Sequence, residues 1–534
     1  MPLEIPEKFN IASWFVDQPS AAHPERVAIL GEPKPVSYGE LRAMTNRAGN
    51  ALRASGVEGG DRVLVALADS AEFIAAFFGA AKIGGIAVPV NPFARAADFA
   101  YWLRDSGASV AVVSGVASVE FKQALNNEGL QLKRIVLTHV PRAGTTATTP
   151  GSEAEGAGKK TRGPWIFWEE WLAAMPAELA GCETAASDAA FFLYTSGSTG
   201  EPKAAVHQHK DMLVTTECFA KAVMQIGAED RTLSVSKLFF AYGLGNAMYF
   251  PLAAGAGTIL MPERPKPERV LELVARYRPT IFYSVPTFYA ALLQAAEGGA
   301  AADFSSVRLV VSAGEALPVE IFERFRNRSG LEILDAIGST EMLHMFISSR
   351  PGAIRPGSCG KPLEQYEARI VDDEGRDVSG SDVGNLWVRG ASACSQYWNK
   401  PETTARSRRD EWLITGDKFY RDADGYYFYC GRADDMLKVS GLWVSPGEVE
   451  NALLGHPAVS EAAVVGRRDG TGLTRAVAYV VARQGTDGDA GLAAEIQRFV
   501  KAKLVSYKCP QEIHFVSELP KTATGKIQRF KLRS

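Results

Sequence analysis

Residues 194–203 read YTSGSTGEPK and follow a short apolar run, AAFFL, at residues 189–193. The apolar run predicts a buried strand that ends at the start of the loop. Two glycines, Gly197 and Gly200, allow successive backbone amides to converge on one anion. Hydroxyl and ammonium donors complete the pattern at Thr195, Ser196, Ser198, Thr199 and Lys203. The composition suits a phosphate, although a flexible surface turn explains the loop alone about equally well.

This loop differs from a Walker A loop, which needs glycine directly before its lysine and serine or threonine directly after it. Here Pro202 precedes Lys203 and Ala204 follows it. If the loop binds a nucleotide, the chain therefore belongs to another class of nucleotide-using protein.

Length and composition indicate a multidomain enzyme that acts on small molecules. At 534 residues the chain exceeds the size at which one core keeps growing, so two or more domains are expected. A net charge of -3 and a pI near 6.3 indicate no binding surface for nucleic acid or for an anionic membrane.

Several patterns favour a cytoplasmic location. The N-terminus lacks a basic segment followed by an apolar core, so no signal peptide is expected. The most apolar stretch, residues 71–90, is interrupted by Lys82 and Pro89, which argues against a membrane span. The six cysteines show no CxxC spacing and are expected to be reduced.

The first part of the chain alternates helix and strand patterns. Ser37 and Glu40 form a capping box that predicts the start of a helix. Strands are predicted at residues 62–67, 85–90 and 108–113, with helices at residues 71–83 and 96–104 between them. This alternation predicts a layered α/β domain with largely parallel strands. Residues 141–164 lose all apolar periodicity and are predicted to be a mobile surface insertion.

Two apparent motifs are rejected. His207 and His209 form an HxH pair, but no third ligand lies nearby in the sequence, so an ordinary strand is favoured over a metal site. Gly243 and Gly245 begin like a dinucleotide-binding fingerprint, but position 248 is Met rather than Gly.

Four further stretches give the loop its context. They are SAGEALP at 312–318, DAIGSTEMLHMF at 335–346, WLITGDKFYRDADGYYFYCGRADDMLKVSG at 412–441 and PKTATGKIQRFKLR at 520–533. With YTSGSTGEPK, in this order and spacing, they resemble the acyl-adenylate-forming superfamily of acyl-CoA ligases, luciferases and peptide-synthetase adenylation domains. Within it, SKLFFAYGLGN at 236–246, IGSTEMLH at 337–344 and LPKTATGKIQRFKLR at 519–533 resemble benzoate-CoA ligases.

The resemblance implies a two-domain α/β fold. It predicts a large N-terminal adenylate-forming domain of several subdomains at residues 1–433 and a small mobile α+β C-terminal domain at residues 434–534. Asp434 corresponds to the hinge about which the C-terminal domain rotates between the two half-reactions.

The resemblance also implies the reaction. ATP converts a carboxylate to an acyl-adenylate with release of pyrophosphate, and the thiol of coenzyme A then displaces AMP. Glu341 corresponds to the ligand of Mg²⁺, and Thr340 to the contact with the α-phosphate. Taken alone, Glu341 is more simply a solvated loop carboxylate.

Further residues correspond to the family's nucleoside site. Asp417 would accept hydrogen bonds from both ribose hydroxyls, and Arg432 would reinforce it, whereas the residues alone suggest only that Asp417 lies in a turn. Adenine is expected against two short segments, which contain Gly314, Glu315, Ala316, Asp335, Ala336 and Ile337.

Two residues of the C-terminal domain correspond to the two half-reactions. Lys526 matches the lysine that bridges the substrate carboxylate and the α-phosphate during adenylation. Gly441 matches the glycine that lines the pantetheine tunnel, where a side chain would obstruct the thiol. Without the resemblance, Lys526 would be a solvated lysine of a basic tail.

The acid pocket is expected to combine aromatic walls with small residues. Its predicted members are Phe240, Ala241, Tyr242, Gly338, His344 and Met345. They suit a flat apolar ring with one carboxylate. The chain departs from the family at Ala204, where Gly is common, and at Met345, where Ile or Leu is usual. His344 taken alone would be a core histidine.

Several alternatives stay open at this point. The acid is benzoate or a substituted, heteroaryl or alicyclic relative. A peptide-synthetase module would be expected to continue into a carrier domain, and a luciferase-like oxygenase would share the adenylation step. A degenerate nucleotide-binding regulator would be expected to have lost Lys526, Glu341 or Asp417, and all three are present. A homodimer, and a lysine acetyltransferase acting on Lys526, are the macromolecular partners considered.

Overall fold

The structure is a computed structural model. It describes residues 3–31, 34–138, 164–196, 201–300, 303–439, 442–468, 474–483, 485–486, 488–521 and 527–533. The chain divides into two compact units that interleave along the sequence. The first comprises Met1–Phe282, Ser339–His344 and Ala391–Arg406, and the second Tyr283–Gly338, Met345–Gly390 and Ser407–Ser534. The predicted insertion at 141–164 lies, apart from Pro164, outside the described residues.

An eight-stranded sheet occupies the first unit. Its order is Gln396–Tyr397, Pro202–Gln208, Ala189–Ser196, Ile86–Pro89, Arg62–Ala66, Val110–Ser114, Arg134–Thr138 and Trp165–Phe167. The six strands from Ala189–Ser196 onward run parallel to one another, whereas Pro202–Gln208 is antiparallel to both of its neighbours. The predicted layered α/β domain with largely parallel strands is therefore confirmed.

Local sequence explains where the main helices of this unit begin. Ser37 Oγ accepts a hydrogen bond from the amide of Glu40 at 3.2 Å, and Glu40 Oε2 accepts one from the amide of Ser37 at 2.8 Å. This capping box opens helix Tyr38–Ala54, as predicted. Ser70 caps helix Ala71–Lys82 in the same position by accepting from the amide of Phe73.

Packed aromatic rings join helices Ala96–Ser106 and Ser118–Glu128 to the sheet. Phe99 contacts Trp102 and Phe121 with ring centroids 5.6 and 5.5 Å apart. All three are buried in one core cluster with the strands. Burial of each such side chain stabilises the fold by roughly 1.5–3 kcal/mol.

The first unit contains further elements. Strands Arg231–Ser234, Gly257–Ile259, Val27–Leu30 and Val36–Ser37 pair in that order. Its other α-helices are Gln18–Ala22, Trp168–Leu172, His209–Thr215, Ala241–Leu244, Phe250–Ala253, Pro267–Tyr277 and Pro401–Arg406. None of the helices in the described ranges of the chain combines the length and apolar character that a membrane crossing requires.

The second unit contains two groups of strands before residue 434. In the first group, Leu309–Ser312, Ile333–Gly338, Met345–Ser348 and Lys361–Pro362 are neighbours in that order. In the second, Tyr366–Val371, Gly384–Gly390, Trp412–Arg421 and Arg408–Arg409 form an antiparallel sheet, to which Tyr427–Arg432 adds beside Trp412–Arg421. Helices Pro286–Glu297 and Val319–Ser329 belong to this unit.

The last hundred residues have a core of their own. Strands Val459–Arg468, Thr474–Ala482 and Glu512–Phe515 form a sheet, and Leu437–Val439 pairs with Leu442–Val444. Helices Pro446–Leu454 and Ala490–Lys503 pack on it through Val449, Leu453, Ile496 and Val500, all of them fully buried. This α+β composition is the one expected for residues 434–534, and the domain boundary at Asp434 stays a prediction.

Candidate active site

The predicted phosphate loop connects two antiparallel strands of the first unit. Strand Ala189–Ser196 pairs with Pro202–Gln208, and Thr195 lies opposite Lys203 in the register. The predicted strand before the loop is confirmed. Thr195 and Lys203 are thereby close together, while four other predicted loop residues lie outside the described residues. These are Gly197, Ser198, Thr199 and Gly200.

Hydrogen bonds from outside the hairpin hold the base of the loop. Tyr194 donates its hydroxyl to Asp105 Oδ2 at 2.7 Å, and Tyr101 donates to the carbonyl of Pro202 at 2.6 Å. Trp398 Nε1 donates to the carbonyl of Asp105 at 2.9 Å. Burial and Asp105 raise the pKa of Tyr194, so its hydroxyl stays protonated as a donor. The ends of the loop are thus anchored on both strands.

Tyr397 joins the loop lysine to the predicted metal ligand. The Lys203 ammonium lies 4.2 Å from the centroid of the Tyr397 ring, and the Tyr397 hydroxyl donates to Glu341 Oε1 at 2.7 Å. Strand pairing explains the placement, because Tyr397 lies opposite Ala205 in the register. The sequence analysis missed Tyr397, which lies far from both partners in the chain.

The segment Ser339–His344 forms the tight turn predicted for Thr340 and Glu341. The amide of Cys394 donates to the carbonyl of Glu341 at 2.7 Å, and the Ser392 hydroxyl donates to the carbonyl of Met342 at 2.9 Å. These contacts fix the backbone from which both predicted catalytic side chains project.

A buried histidine–aspartate pair also holds this turn. His207 Nε2 donates to the carbonyl of Thr340 at 2.8 Å, and His207 Nδ1 lies 2.8 Å from Asp211 Oδ2. Burial raises the pKa of Asp211, and the contact with His207 opposes this rise. Both side chains are fully buried, so this contact supplies a hydrogen-bond partner that water cannot provide.

The two histidines of the HxH pair differ in environment. His207 lies in strand Pro202–Gln208, as predicted, but His209 begins the helix His209–Thr215. His209 Nδ1 accepts from the amide of Ile11 at 3.2 Å, and burial lowers the pKa of His209 to about 4. Both are structural side chains of the first unit.

The predicted acid pocket contains a neutral histidine among aromatic rings. The ring of His344 lies 4.6 Å from that of Phe250, 5.3 Å from that of Phe219 and 5.7 Å from that of Tyr242, between centroids. His344 Nε2 lies 3.2 Å from Asn246 Oδ1, and burial lowers the pKa of His344 to about 3. The imidazole is therefore neutral at pH 7.

The other predicted pocket residues are divided between the two units. Phe240, Ala241 and Tyr242 are half-buried at the start of a short helix in the first unit. A Cβ atom on Gly245 in the following turn would lie 2.6 Å from His344 Cδ2, so this position accepts only glycine without a shift of the ring. In the second unit, Gly338 lies opposite the buried Met345 in an antiparallel pair.

The residues predicted to contact adenine lie in, or just after, two neighbouring strands of the second unit. Ser312 ends a strand parallel to Ile333–Gly338 and lies opposite Asp335 in the register. Gly314 follows with a φ of 88°, and the chain continues through Glu315 and Ala316. The loop therefore leaves the sheet beside Asp335, where Ala336 and Ile337 continue the neighbouring strand. Burial raises the pKa of Asp335 well above its usual range.

Asp417 and Arg432 are neighbours across two antiparallel strands of the second unit. Arg432 Nη1 donates to Asp417 Oδ1 at 3.2 Å and to the carbonyl of Thr415 at 3.0 Å. The expectation from the residues alone that Asp417 lies in a turn is wrong. Asp417 lies within strand Trp412–Arg421, because Gly416, with a φ of 75°, kinks the strand without ending it.

Lys526 and Gly441 lie outside the described residues. Residues on either side of Lys526 contact a strand and a helix of the C-terminal segment. Lys521 contacts Glu461 at 2.7 Å and pairs with Ile527 in an antiparallel bridge. Arg529 donates to both carboxylate oxygens of Glu450, at 3.0 and 2.7 Å.

Asp434, the predicted hinge residue, lies beside Arg533. Arg533 donates to the carbonyl of Asp434 at 3.3 Å and forms an ion pair with the carboxylate of Asp435. The role of Asp434 as a hinge stays a prediction.

The residues near Lys203 suit a magnesium–nucleotide complex. No cluster of three or more metal-ligating side chains occurs in the described ranges. Mg²⁺ usually binds proteins through one or two carboxylates together with substrate phosphates. A single carboxylate, Glu341, close to Lys203, the lysine predicted to bind phosphate, fits that mode of binding.

Comparisons with known proteins cover almost the whole chain. A family model described as AMP-binding enzyme matches residues 16–398, and one described as AMP-binding enzyme C-terminal domain matches residues 448–526. Benzoate–CoA ligase of Thauera aromatica is 42% identical over 539 residues, which cover 100% of this chain and 97% of the relative. A 3-hydroxybenzoate–CoA ligase of Aromatoleum sp. (strain CIB) is 39% identical, covering 98% and 94%.

Solved structures agree with these relatives. An anthranilate CoA ligase solved in complex with anthranoyl-AMP matches with a TM-score of 0.90 and 36% identity, covering 99% of this chain and 97% of that one. A benzoate CoA ligase from Burkholderia xenovorans LB400 matches with a TM-score of 0.87 and 38% identity, covering 98% of this chain and 100% of that one.

Proposed function

Since this chain belongs to the AMP-binding enzymes, the superfamily whose members form acyl-adenylates, we propose that it joins benzoate or a closely related aromatic acid to coenzyme A. The family and the fold class, a large N-terminal domain with a small C-terminal domain, are as predicted. ATP and coenzyme A are the co-substrates, with Mg²⁺ bound to the nucleotide.

The choice of an aromatic acid rests on one observation, the neutral and aromatic surroundings of His344. Rings of Phe219, Tyr242 and Phe250 surround the imidazole, and burial keeps it uncharged at pH 7. A flat apolar ring gains dispersion and ring–edge contacts in such surroundings, whereas a second carboxylate would lose its hydration there beside an uncharged imidazole. The two relatives described as ligases of benzoate and of 3-hydroxybenzoate support the same class of acid.

In the first half-reaction, a carboxylate oxygen of the acid attacks the α-phosphorus of ATP and the bond to pyrophosphate breaks. Lys203 and the loop hydroxyls would bind the phosphate oxygens, on which negative charge accumulates. Glu341 would hold Mg²⁺, which neutralises phosphate charge when bound. Lys526 would bridge the acid and the α-phosphate, and Asp417 with Arg432 would hold the ribose.

In the second half-reaction, the sulfur of coenzyme A attacks the acyl carbon and AMP leaves. We propose that rotation about Asp434 withdraws Lys526 and brings Gly441 to the thiol. Residues 434–534 form a segment of ordinary domain size with its own core, which is compatible with movement as one body.

Three further expectations belong to this proposal. The enzyme is cytoplasmic, and it functions alone or as a homodimer. Acetylation of Lys526 by a lysine acetyltransferase would switch adenylation off, because it removes the positive charge on which the role of the lysine depends.

A panel of acids tests the proposal. Pyrophosphate release in the presence of coenzyme A would be measured with benzoate, hydroxybenzoates, aminobenzoate, furoate, cyclohexane carboxylate and hexanoate. Benzoate, or a benzoate with one small substituent, should give the highest kcat/KM. A higher kcat/KM for hexanoate than for every aromatic acid would contradict the proposal. Para-substituted benzoates test the effect of Met345, because its flexible thioether can yield space that a branched side chain would not.

A further inference from the structure

Tyr397 lies between two groups of opposite charge in the first unit. Its ring faces the Lys203 ammonium at 4.2 Å, and its hydroxyl donates to Glu341 Oε1 at 2.7 Å. Among the described residues, Lys203 and Glu341 form no ion pair with each other. One side chain therefore contacts both, through chemically different parts.

This arrangement keeps two oppositely charged side chains from pairing with each other before the nucleotide binds. An ammonium and a carboxylate in one cleft attract each other, and an ion pair between them would have to break before a phosphate and a metal ion could bind. The electron-rich ring face of Tyr397 is an alternative partner for the ammonium. The phenolic hydroxyl is an alternative partner for the carboxylate, and it occupies only one of its two oxygens.

Tyr397 is itself fixed in place. It is 4% exposed and packs in a cluster with Ala205 and Cys394. Its amide donates to Thr404 Oγ1 at 2.9 Å, and it pairs with Ala205 in the sheet. The neighbouring amide of Cys394 donates to the carbonyl of Glu341 at 2.7 Å, so the same short segment holds Glu341 at both backbone and side chain.

We propose that Tyr397 is a positioning residue that keeps Lys203 and Glu341 apart and presents the Glu341 carboxylate to the magnesium ion of the nucleotide. This inference rests on the proposed role of Glu341 as the metal ligand. Loss of the hydroxyl alone frees the carboxylate but leaves the ammonium on the ring, whereas loss of the ring frees both groups to pair.

Nucleotide binding without turnover tests this role. The probe is the ATP analogue with a methylene group between the α- and β-phosphorus, which cannot release pyrophosphate, and calorimetry measures its Kd with and without Mg²⁺. Tyr397→Phe should weaken binding about tenfold with Mg²⁺, the effect of one hydrogen bond to a charged group, and leave metal-free binding unchanged. Tyr397→Leu should weaken binding under both conditions.

Two further variants make the result decisive. Tyr38→Phe is the matched control, because it removes another buried hydroxyl of the first unit, which donates to the carbonyl of Ala256 at 2.7 Å, and it should change neither Kd. Glu341→Gln should abolish the gain in affinity that Mg²⁺ provides. Circular dichroism confirms that each variant is folded.

The outcomes separate the inference from the proposed function. If Glu341→Gln retains the full magnesium-dependent gain, Glu341 is not the metal ligand, and the inference fails with that assignment. If Glu341→Gln loses the gain while Tyr397→Phe retains it, only the role of Tyr397 is overturned. Equal weakening of Tyr397→Phe with and without Mg²⁺, or the same loss in Tyr38→Phe, would reveal a general structural effect and also overturn it.

Discussion

Replacement of His207 by phenylalanine should damage both stability and adenylation. The aromatic ring can keep its stacking on Phe191, whose centroid lies 5.1 Å away, but the contacts at 2.8 Å with Asp211 and with the carbonyl of Thr340 are lost. Asp211 is fully buried, and removing one member of a buried pair typically costs about 3–5 kcal/mol. Urea unfolding at pH 7 should show a loss of that size.

The catalytic consequence follows from the carbonyl of Thr340. Without its donor, the turn that carries Thr340 and Glu341 can shift, and a displacement of about 1 Å in a catalytic group can reduce the rate about a hundredfold. Pyrophosphate release from ATP and benzoate, under conditions where the variant is fully folded, should therefore fall by roughly that factor.

A double variant separates the two effects. His207→Phe combined with Asp211→Leu removes the stranded carboxyl group, and apolar replacement of a buried pair is often neutral in stability. The free energy of unfolding should recover to within about 1–3 kcal/mol of the native value, because the amide of Gln208, which donates to Asp211 Oδ2 at 3.0 Å, still loses its acceptor, while adenylation stays slow. Recovery of full activity in the double variant would refute the positioning role of His207. A loss below about 1 kcal/mol in the single variant would refute the energetic reasoning.

Four further results are expected. Lys526→Ala should abolish adenylate formation but still convert synthetic benzoyl-adenylate to benzoyl-CoA. Gly441→Trp should form the adenylate but fail to transfer its acyl group to coenzyme A. Parallel loss of both half-reactions in each folded variant would contradict an alternating domain. Stoichiometric acetylation of Lys526 should abolish overall activity, so full activity of the purified acetylated protein would exclude that switch. The pKa of His209 is lowered from 6.5 to about 4, so the unfolded chain binds a proton at this residue first as the pH falls. The free energy of unfolding should therefore decrease by roughly 3 kcal/mol between pH 7 and pH 4. His209→Asn, which keeps an acceptor, should remove that part of the slope in urea titrations at several pH values. Gly245→Ala should raise the KM for benzoate about tenfold and leave the KM for ATP unchanged. The reason is that its Cβ displaces the ring of His344, and overpacking of this kind costs about 1–3 kcal/mol. An unchanged KM for benzoate would place His344 outside the acid pocket.

The site residues that sequence reasoning missed share one property. Tyr397 reaches Glu341 and Lys203, and His207 reaches Thr340, from positions far away in the chain. Tyr397 belongs to none of the five motifs, and His207 belongs only to the rejected HxH pair, so each is an ordinary strand residue until its strand is placed beside its neighbours. Residues such as these can be identified only when strand order and register are known, because the side chains and backbone groups that they contact come from separate parts of the sequence.

The sequence by itself determined the local elements and the chemistry of the loop. Three features depend only on neighbours within a few residues and can therefore be predicted without the fold. They are the capping box at Ser37 and Glu40, the alternation of strands and helices, and the glycines and hydroxyls before Lys203. The order of five motifs added the family. Tertiary structure decided that Asp417 continues a strand, that His344 is a neutral imidazole, and that Tyr397 lies between Lys203 and Glu341. Burial and long-range contacts set these properties, because desolvation and hydrogen bonding act on neighbours in space, whatever their separation along the chain.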